Sequence, residues 1–200
     1  MSNSREPFPV WYLFADIVDC IGNDNMAGAA YAVRYLIERG CKTIGYIRSK
    51  QRISNFNDRE AGVYQALAQA GFALHSVADA GICSEEAYLD IRSWLQQNPA
   101  LPDGFFADND ILAMAAIRAM RSLNIQIPED VSVIGFDDIP ACDISDPPLT
   151  TMRSYKECLG ATAVHLINER LCGAEQSSIA QSGPLKVQVA MRVHARMSVR

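Results

Sequence analysis

Residues 104–151 read GFFADNDILAMAAIRAMRSLNIQIPEDVSVIGFDDIPACDISDPPLTT, and this stretch decides the fold. A short apolar run at 105–107 ends in polar residues, and apolar residues then recur every three or four positions, as in an amphipathic helix. A second buried run, 131–136, ends in two aspartates. A strand, a helix and a strand in this order predict parallel strands joined by a right-handed crossover.

Polar side chains follow both predicted strands at the point where each strand ends. Asp108, Asn109 and Asp110 come after the first strand, and Asp137 and Asp138 come after the second. Neighbouring parallel strands place their carboxyl ends at one edge of the sheet, and open α/β sheets bind their ligands there. The sequence therefore predicts a ligand site at this edge.

Composition narrows the class of protein. The 200 residues are 49% hydrophobic and 20% charged, which is typical of a globular domain with a sizeable core. The formal net charge of −5 argues against nucleic-acid binding by this chain itself. The six cysteines have no paired spacing and are expected to be reduced thiols. No secretory leader pattern or membrane-length apolar run is visible, so we expect a cytoplasmic protein without a membrane contact.

The remaining elements alternate in the same way as the central unit. Gly40 is expected to end the first full helix in a left-handed conformation. The predicted elements, in order, are strands at 9–15 and 20–22, a helix ending before Gly40, a strand at 43–47, a helix from Asn57, a strand at 72–77, helices at 85–96 and 155–171, and a strand-like tail at 185–200.

Several short motifs, taken in order, resemble the effector-binding domain of LacI/GalR (lac-repressor) transcriptional regulators. They are DN-x-x-G-A at 24–29, L-I-x-x-G at 36–40, R-x-x-G at 59–62, the DND to GFDD stretch at 108–138, DPPLTT at 146–151 and R-x-S at 196–198.

The resemblance implies an α/β fold of the type I periplasmic-binding-protein-like class. One lobe, residues 24–152 and 185–200, is expected to be a complete, doubly wound parallel sheet. The other lobe, residues 1–23 and 153–184, is expected to be incomplete, and no helix-turn-helix headpiece is expected in the chain.

The function implied by the resemblance is ligand sensing without catalysis or a cofactor. A small effector, a sugar or a related metabolite, would bind between the two lobes. A homodimer is expected, and DNA would be reached only through a headpiece that this chain lacks. The alternative is a periplasmic-type sugar- or solute-binding protein, which shares the fold. Strand-end acids could hold Mg²⁺ in an enzyme, but no phosphate-binding glycine loop accompanies them and the histidines lack metal-ligand spacing.

Arg59 and Asp137 are the principal candidate ligand contacts. Arg59 would stand in the first turn of a helix starting at Asn57, where the helix dipole disfavours a cation. In the family, the arginine of this motif hydrogen-bonds the effector, and the acid matching Asp137 contacts it. The alternative for a carboxylate at a sheet tip is to cap the next turn. If the family roles carry over, the two side chains should lie within about 10 Å of each other.

Four further residues complete the candidate site. The resemblance implies that the Asn109 amide contacts ligand, although asparagine also suits the N-cap of the following helix. Phe136 would stack on a sugar face or belong to the core. Phe14 and Asp16 lie near a family position that carries a ligand-binding acid after the first strand. No metal site is expected.

Overall fold

The structure of the chain, a computed structural model, describes residues 17–97, 100–172 and 178–200. The chain divides into two compact units. Residues 25–154 and 190–200 form the larger unit, and the described parts of 1–24 and 155–189 form the smaller one. Within the described ranges, no helix is both long enough and apolar enough to cross a membrane.

Strands and helices alternate along most of the chain, as the periodicity predicts. The strands are β1 (Cys20–Asn23), β2 (Ile44–Ser49), β3 (Leu74–Ala80), β4 (Gly104–Ala107), β5 (Ser132–Asp137), β6 (Thr151–Arg153), β7 (Lys186–Val189) and β8 (Arg192–His194). The helices are α1 (Asn25–Glu38), α2 (Ser54–Ala70), α3 (Ser84–Gln97), α4 (Asp110–Arg121), α5 (Lys156–Cys172) and α6 (Ser178–Gln181). A short 3-10 helix, Pro140–Asp143, follows β5.

The larger unit is built on a six-stranded sheet with the order β3-β2-β4-β5-β6-β8. The first five strands run parallel, and β8 pairs antiparallel with β6. The predicted strand-helix-strand unit is confirmed, because β4 and β5 are parallel neighbours and α4 connects them. The α/β fold class is therefore as predicted.

Apolar side chains pack on both faces of this sheet. Phe105 and Phe106 are adjacent on β4, and successive side chains of a strand point to opposite faces. Phe106 contacts the rings of Tyr46 and Phe136, with centroid distances of 5.6 and 6.1 Å, in the core beneath α1 and α2. Phe105 meets Trp94 at 5.9 Å in the core beneath α3 and α4. Helices thus cover both faces, as a doubly wound sheet requires.

The smaller unit corrects one predicted boundary. Residues 185–189 were expected to return to the larger lobe, but β7 pairs in parallel with β1 in the smaller unit. The backbone N–H of Leu185 donates to Oδ1 of Asp19, and Arg170 of α5 holds both oxygens of that carboxylate at 2.8 Å. These contacts fix the start of β7 beside β1, so the chain enters the larger unit only at residue 190.

Candidate functional site

Three polar segments meet at the carboxyl-end edge of the larger sheet. Asp108 and Asn109 follow β4, and Asp137 ends the neighbouring strand β5. Arg59 reaches the same edge from α2. The predicted convergence at this edge is present in the structure.

Arg59 is held on every side. Its side chain is only 4% exposed, and its Nε donates to Oδ1 of Asn25 at 2.9 Å. Its Nη1 donates to the backbone carbonyl of Asp108, and its Nη2 donates to Oδ1 of Asp137 at 3.0 Å. The guanidinium carbon lies 3.8 Å from the centroid of the Phe136 ring, a close cation–π contact. Arg59 and Asp137 therefore form a direct ion pair, well within the predicted separation.

The glycine of the R-x-x-G motif explains how α1 contributes to this cluster. A Cβ atom at Gly62 would lie 2.1 Å from the carbonyl oxygen of Met26, so only glycine lets α1 and α2 approach this closely. Asn25, the first residue of α1, is next to Met26 and accepts the hydrogen bond from Arg59. The R-x-x-G motif thus supplies Arg59 and also the glycine that lets α1 come close enough for Asn25 to accept the hydrogen bond from Arg59.

The reason given from the sequence for singling out Arg59 needs correction. The helix begins at Ser54, with Ile53 at the N-cap and no side-chain cap, rather than at Asn57. Asn57 instead accepts a hydrogen bond from Arg52. Arg59 consequently lies in the second turn, beyond the first turn where the dipole acts most strongly. Its burial among hydrogen-bond acceptors, rather than its place on the helix, marks it as special.

Asp137 has an unusual backbone conformation. Its φ is 108° and that of Asp138 is 53°, so two consecutive non-glycine residues lie at positive φ. Such a conformation persists only where surrounding contacts enforce it, and these outliers concentrate at binding sites. The carboxyl group of Asp137 remains 32% exposed while it pairs with the buried Arg59. It is thus an oriented carboxylate that remains partly exposed to solvent.

Asp138 faces a different set of partners. Its carboxylate accepts from Arg153 Nε, from His194 Nδ1 at 3.1 Å and from Arg196 Nη2 at 2.8 Å. Burial alone raises the pKa of Asp138, but these donors outweigh burial and lower the pKa to about 2. Asp138 thereby fastens β8 and the residues after it to β6, and takes no part in the Arg59 cluster.

The other predicted contacts have varied outcomes. Asn109 is the N-cap of α4, since its Oδ1 accepts from the N–H of Leu112 at 2.9 Å, and its ligand role stays a prediction. Phe136 is fully buried with Arg59 across its ring, so the sugar-stacking interpretation is replaced by the core alternative. Phe14 and Asp16 lie outside the described residues. In the part of the chain that is described, no cluster of acidic, histidine or cysteine side chains suits a metal ion.

Comparison with known proteins places the chain in a family. Residues 33–199 match the family described as a periplasmic binding protein-like domain. Over 155 residues the chain is 35% identical to the HTH-type transcriptional repressor PurR of Pasteurella multocida, an alignment that covers 76% of this chain and 46% of the relative. The chain is a LacI/GalR-family effector-binding domain. It spans about half the length of the curated relatives it matches.

Solved LacI/GalR-type structures share the fold. A transcriptional regulator CelR–cellobiose complex superposes with a TM-score of 0.80 at 26% identity, covering 92% of this chain and 54% of that one. A LacI family regulator from Enterococcus faecium with bound ribose gives 0.77 at 26% identity, covering 90% and 65%. The Pasteurella multocida relative is named as a transcriptional repressor.

Two acids of this LacI/GalR domain, which the sequence places at the end of the first predicted strand, are buried. Asp108 and Asp110 are 0% and 1% exposed. Asp110 accepts from the Thr151 hydroxyl and from the N–H of Ile139, which joins α4 to β6 and to the loop after β5. Burial raises the pKa of each acid to about 6, although the hydrogen-bond donors at each carboxylate act in the opposite direction. The sequence gives no sign of this burial, because most of the partners are distant in the chain.

Asp110→Asn should change how stability depends on pH. The pKa of Asp110 in the folded state lies above the ordinary value of 3.8. Between pH 4 and pH 6 the Asp110 carboxyl is therefore protonated in the folded state more than in the unfolded state. The wild type should therefore lose roughly 2 kcal/mol of unfolding free energy, relative to the variant, as the pH rises through this window. Urea unfolding at pH 4.5 and pH 7.5 measures the difference. Equal pH dependence in the two proteins would contradict the assignment.

Proposed function

We propose that this chain is the ligand-sensing part of a LacI-type transcriptional regulator. Its effector is a small, neutral, polyhydroxylated molecule, a sugar or a related metabolite, bound at the sheet edge that carries Asp137. The observation that supports this proposal best is the partly exposed Asp137 carboxylate, held in place by the buried guanidinium of Arg59. Both residues match motifs of the family, and the regulators of known structure described above hold cellobiose and ribose.

The chemistry of the pair favours a neutral ligand. A carboxylate offers several acceptor sites, so the partly exposed carboxylate of Asp137 can accept hydrogen bonds from ligand hydroxyl groups. Arg59 uses three of its five N–H groups on Asn25, Asp108 and Asp137. Its charge is balanced by Asp137, so an anionic ligand gains no uncompensated cation here. Hydroxyl groups suit such a balanced pair better than a phosphate or a carboxylate.

The regulatory step follows from linkage between effector binding and DNA binding. An effector shifts a conformational equilibrium only if it binds one state more tightly than the other. We place the DNA contact in a helix-turn-helix segment outside this chain, as in the relatives named HTH-type repressors. We also propose a homodimer, acting in the cytoplasm, in which each copy reports its own ligand state to the DNA-binding segment.

Asp137→Asn should weaken effector binding by roughly 10- to 100-fold, because one charge-assisted acceptor is lost while the side-chain shape is kept. A panel of neutral monosaccharides and disaccharides, with ribose and cellobiose included, is screened by the rise in melting temperature. The affinity of the best sugar is then measured by calorimetry for both proteins.

Asp146→Asn is the matched control, since that carboxyl is 81% exposed and pairs with Arg121 rather than with Arg59. Its affinity should equal that of the wild type. The proposal fails if no neutral sugar in the panel binds, or if Asp137→Asn binds the best sugar as tightly as the wild type does.

A further inference from the structure

A second group of contacts at the same edge converges on Asp108. We propose that Asp108 is a positioning residue, which fixes the Arg59 guanidinium and the loop at residues 50–53 in their ligand-ready arrangement. The side chain is fully buried, so it acts through its neighbours rather than by touching the effector. The effect on ligand affinity rests on the function proposed above, whereas the positioning itself does not.

The carboxylate of Asp108 gathers three donors from β2 and the residues that follow it. The hydroxyl of Tyr46 donates to Oδ1. The N–H of Ser49 donates to Oδ2 at 2.8 Å, and Nη1 of Arg52 donates to the same oxygen at 3.1 Å. A buried carboxylate is costly unless it is paired and hydrogen-bonded, so these donors are bound strongly to one place. The end of β2 and the start of the loop are thereby fixed against β4.

Arg52 connects Asp108 to α2. Its Nη2 donates to the carbonyl of Phe56 at 2.9 Å and to Oε2 of Glu60 at 2.7 Å, and its Nε donates to Asn57. Arg52 therefore joins the first two turns of the helix to the carboxylate of Asp108. Glu60, the last of these partners, is adjacent to Arg59 in the chain.

Arg59, on the same helix, also contacts Asp108. It donates to the backbone carbonyl of Asp108, while Arg52 donates to the carboxylate. The amino-terminal half of α2 is thus held at two points of a single residue. Any shift of Asp108 moves both arginines, and with Arg59 it moves the partner that orients Asp137.

Glu60 connects these hydrogen bonds, through Arg48, to strand β3. Its Oε1 accepts from Nη1 of Arg48 at 2.9 Å, and Arg48 also binds both oxygens of Asp79, near the end of β3. Alternating charges thus run from the end of β3 to the end of β4. Every ion of this network except Asp79 has more than one partner, which keeps the long side chains in one geometry.

The test uses the side-chain Nε–H signal of Arg59 in a nitrogen-15 correlation spectrum. The nearby Phe136 ring makes this signal sensitive to the direction of the guanidinium. Asp108→Asn should shift or broaden it and should speed hydrogen exchange of the Ser49 amide by about tenfold or more, as expected for a lost charge-assisted bond. Arg52→Gln leaves the buried acid in place and should shift the Arg59 signal in the same direction. If Asp108→Asn does not fold, the Arg52→Gln variant alone tests the positioning role.

Asp103→Asn is the matched control. Like Asp108, Asp103 is a carboxylate that accepts from backbone N–H groups, here those of Lys42 and Thr43, but it lies at the opposite edge of the sheet. It should leave the Arg59 signal unchanged. A folded Asp108→Asn or Arg52→Gln protein with an unchanged Arg59 signal would overturn the positioning role, because simple loss of stability does not redirect one guanidinium.

Affinity for the best sugar of the panel separates the two proposals. Asp108→Asn should weaken it by about tenfold, the equivalent of one charge-assisted hydrogen bond, and Asp103→Asn should leave it within about twofold of the wild type. If the wild type binds no sugar, the proposed function fails. The positioning role of Asp108 is still tested by the Arg59 signal, because that measurement needs no ligand. If sugar affinity is unchanged in an Asp108→Asn protein whose Arg59 signal has moved, the link to ligand binding is wrong.

Discussion

Replacing Arg59 with methionine is expected to lower the free energy of unfolding by roughly 3 kcal/mol, the lower end of the usual cost of breaking a buried ion pair from one side, because Asp137 stays partly exposed. Methionine fills much of the same space, but it removes a donor from Asn25, Asp108 and Asp137 at once. Urea unfolding followed by circular dichroism gives the difference. Because the Arg59 side chain is only 4% exposed, its removal should destabilise the fold.

Arg121→Met provides the comparison, because that side chain is 49% exposed and pairs with the exposed Asp146. Surface pairs of this kind contribute about 0–1 kcal/mol. If the two variants lose equal stability, the burial of Arg59 has no energetic consequence and the description of the cluster is wrong.

Gly62→Ala should destabilise the protein by about 3 kcal/mol, the upper part of the usual range for overpacking. The new methyl group would stand 2.1 Å from the Met26 carbonyl oxygen and 3.0 Å from the Ala30 nitrogen. Both atoms belong to the backbone of α1, so no side chain can move aside and the helices must separate. Thermal and urea unfolding measure the loss, and the Arg59 to Asn25 hydrogen bond should weaken with it.

Gly160→Ala is the matched substitution, in the helix α5. Nothing lies within 4 Å of a Cβ atom at that position, and alanine favours a helix over glycine by roughly 0.5–1 kcal/mol. This variant should be as stable as the wild type or slightly more so. A loss at Gly160 as large as that at Gly62 would point to a general intolerance of alanine rather than to the crossing of α1 and α2.

The sequence predicted the elements of the larger sheet because apolar periodicity is a local property. The runs at 105–107 and 131–136 become β4 and β5 almost to the residue. The proximity of Arg59 and Asp137, 78 positions apart, came from family resemblance and not from local pattern. The role of Asp108 was missed, because its partners Tyr46 and Arg52 lie 62 and 56 positions away and no local signal distinguishes a buried aspartate from a capping one.

The tail shows a second limit of local reasoning. Alternation at 185–200 predicted strands, and two are present, but alternation does not say which sheet a strand joins. The first, β7, pairs with β1, and the second, β8, pairs with β6. The choice is made by contacts such as Asp19 with Leu185 and Asp138 with His194, which no window of sequence contains.

The late position of β8 has a consequence during synthesis. Ser198 donates to the carbonyl of Val133 and accepts from the N–H of Thr150, so it bridges two segments in the buried part of the sheet. Residues 155–189, which belong to the smaller unit, must leave the ribosome before it does. The sheet edge at β6 thus stays open while some forty further residues are translated. A nascent chain arrested when residue 153, but not residue 190, has cleared the exit tunnel should expose that edge to chaperones, and one extended far enough for residue 199 to clear the tunnel should not.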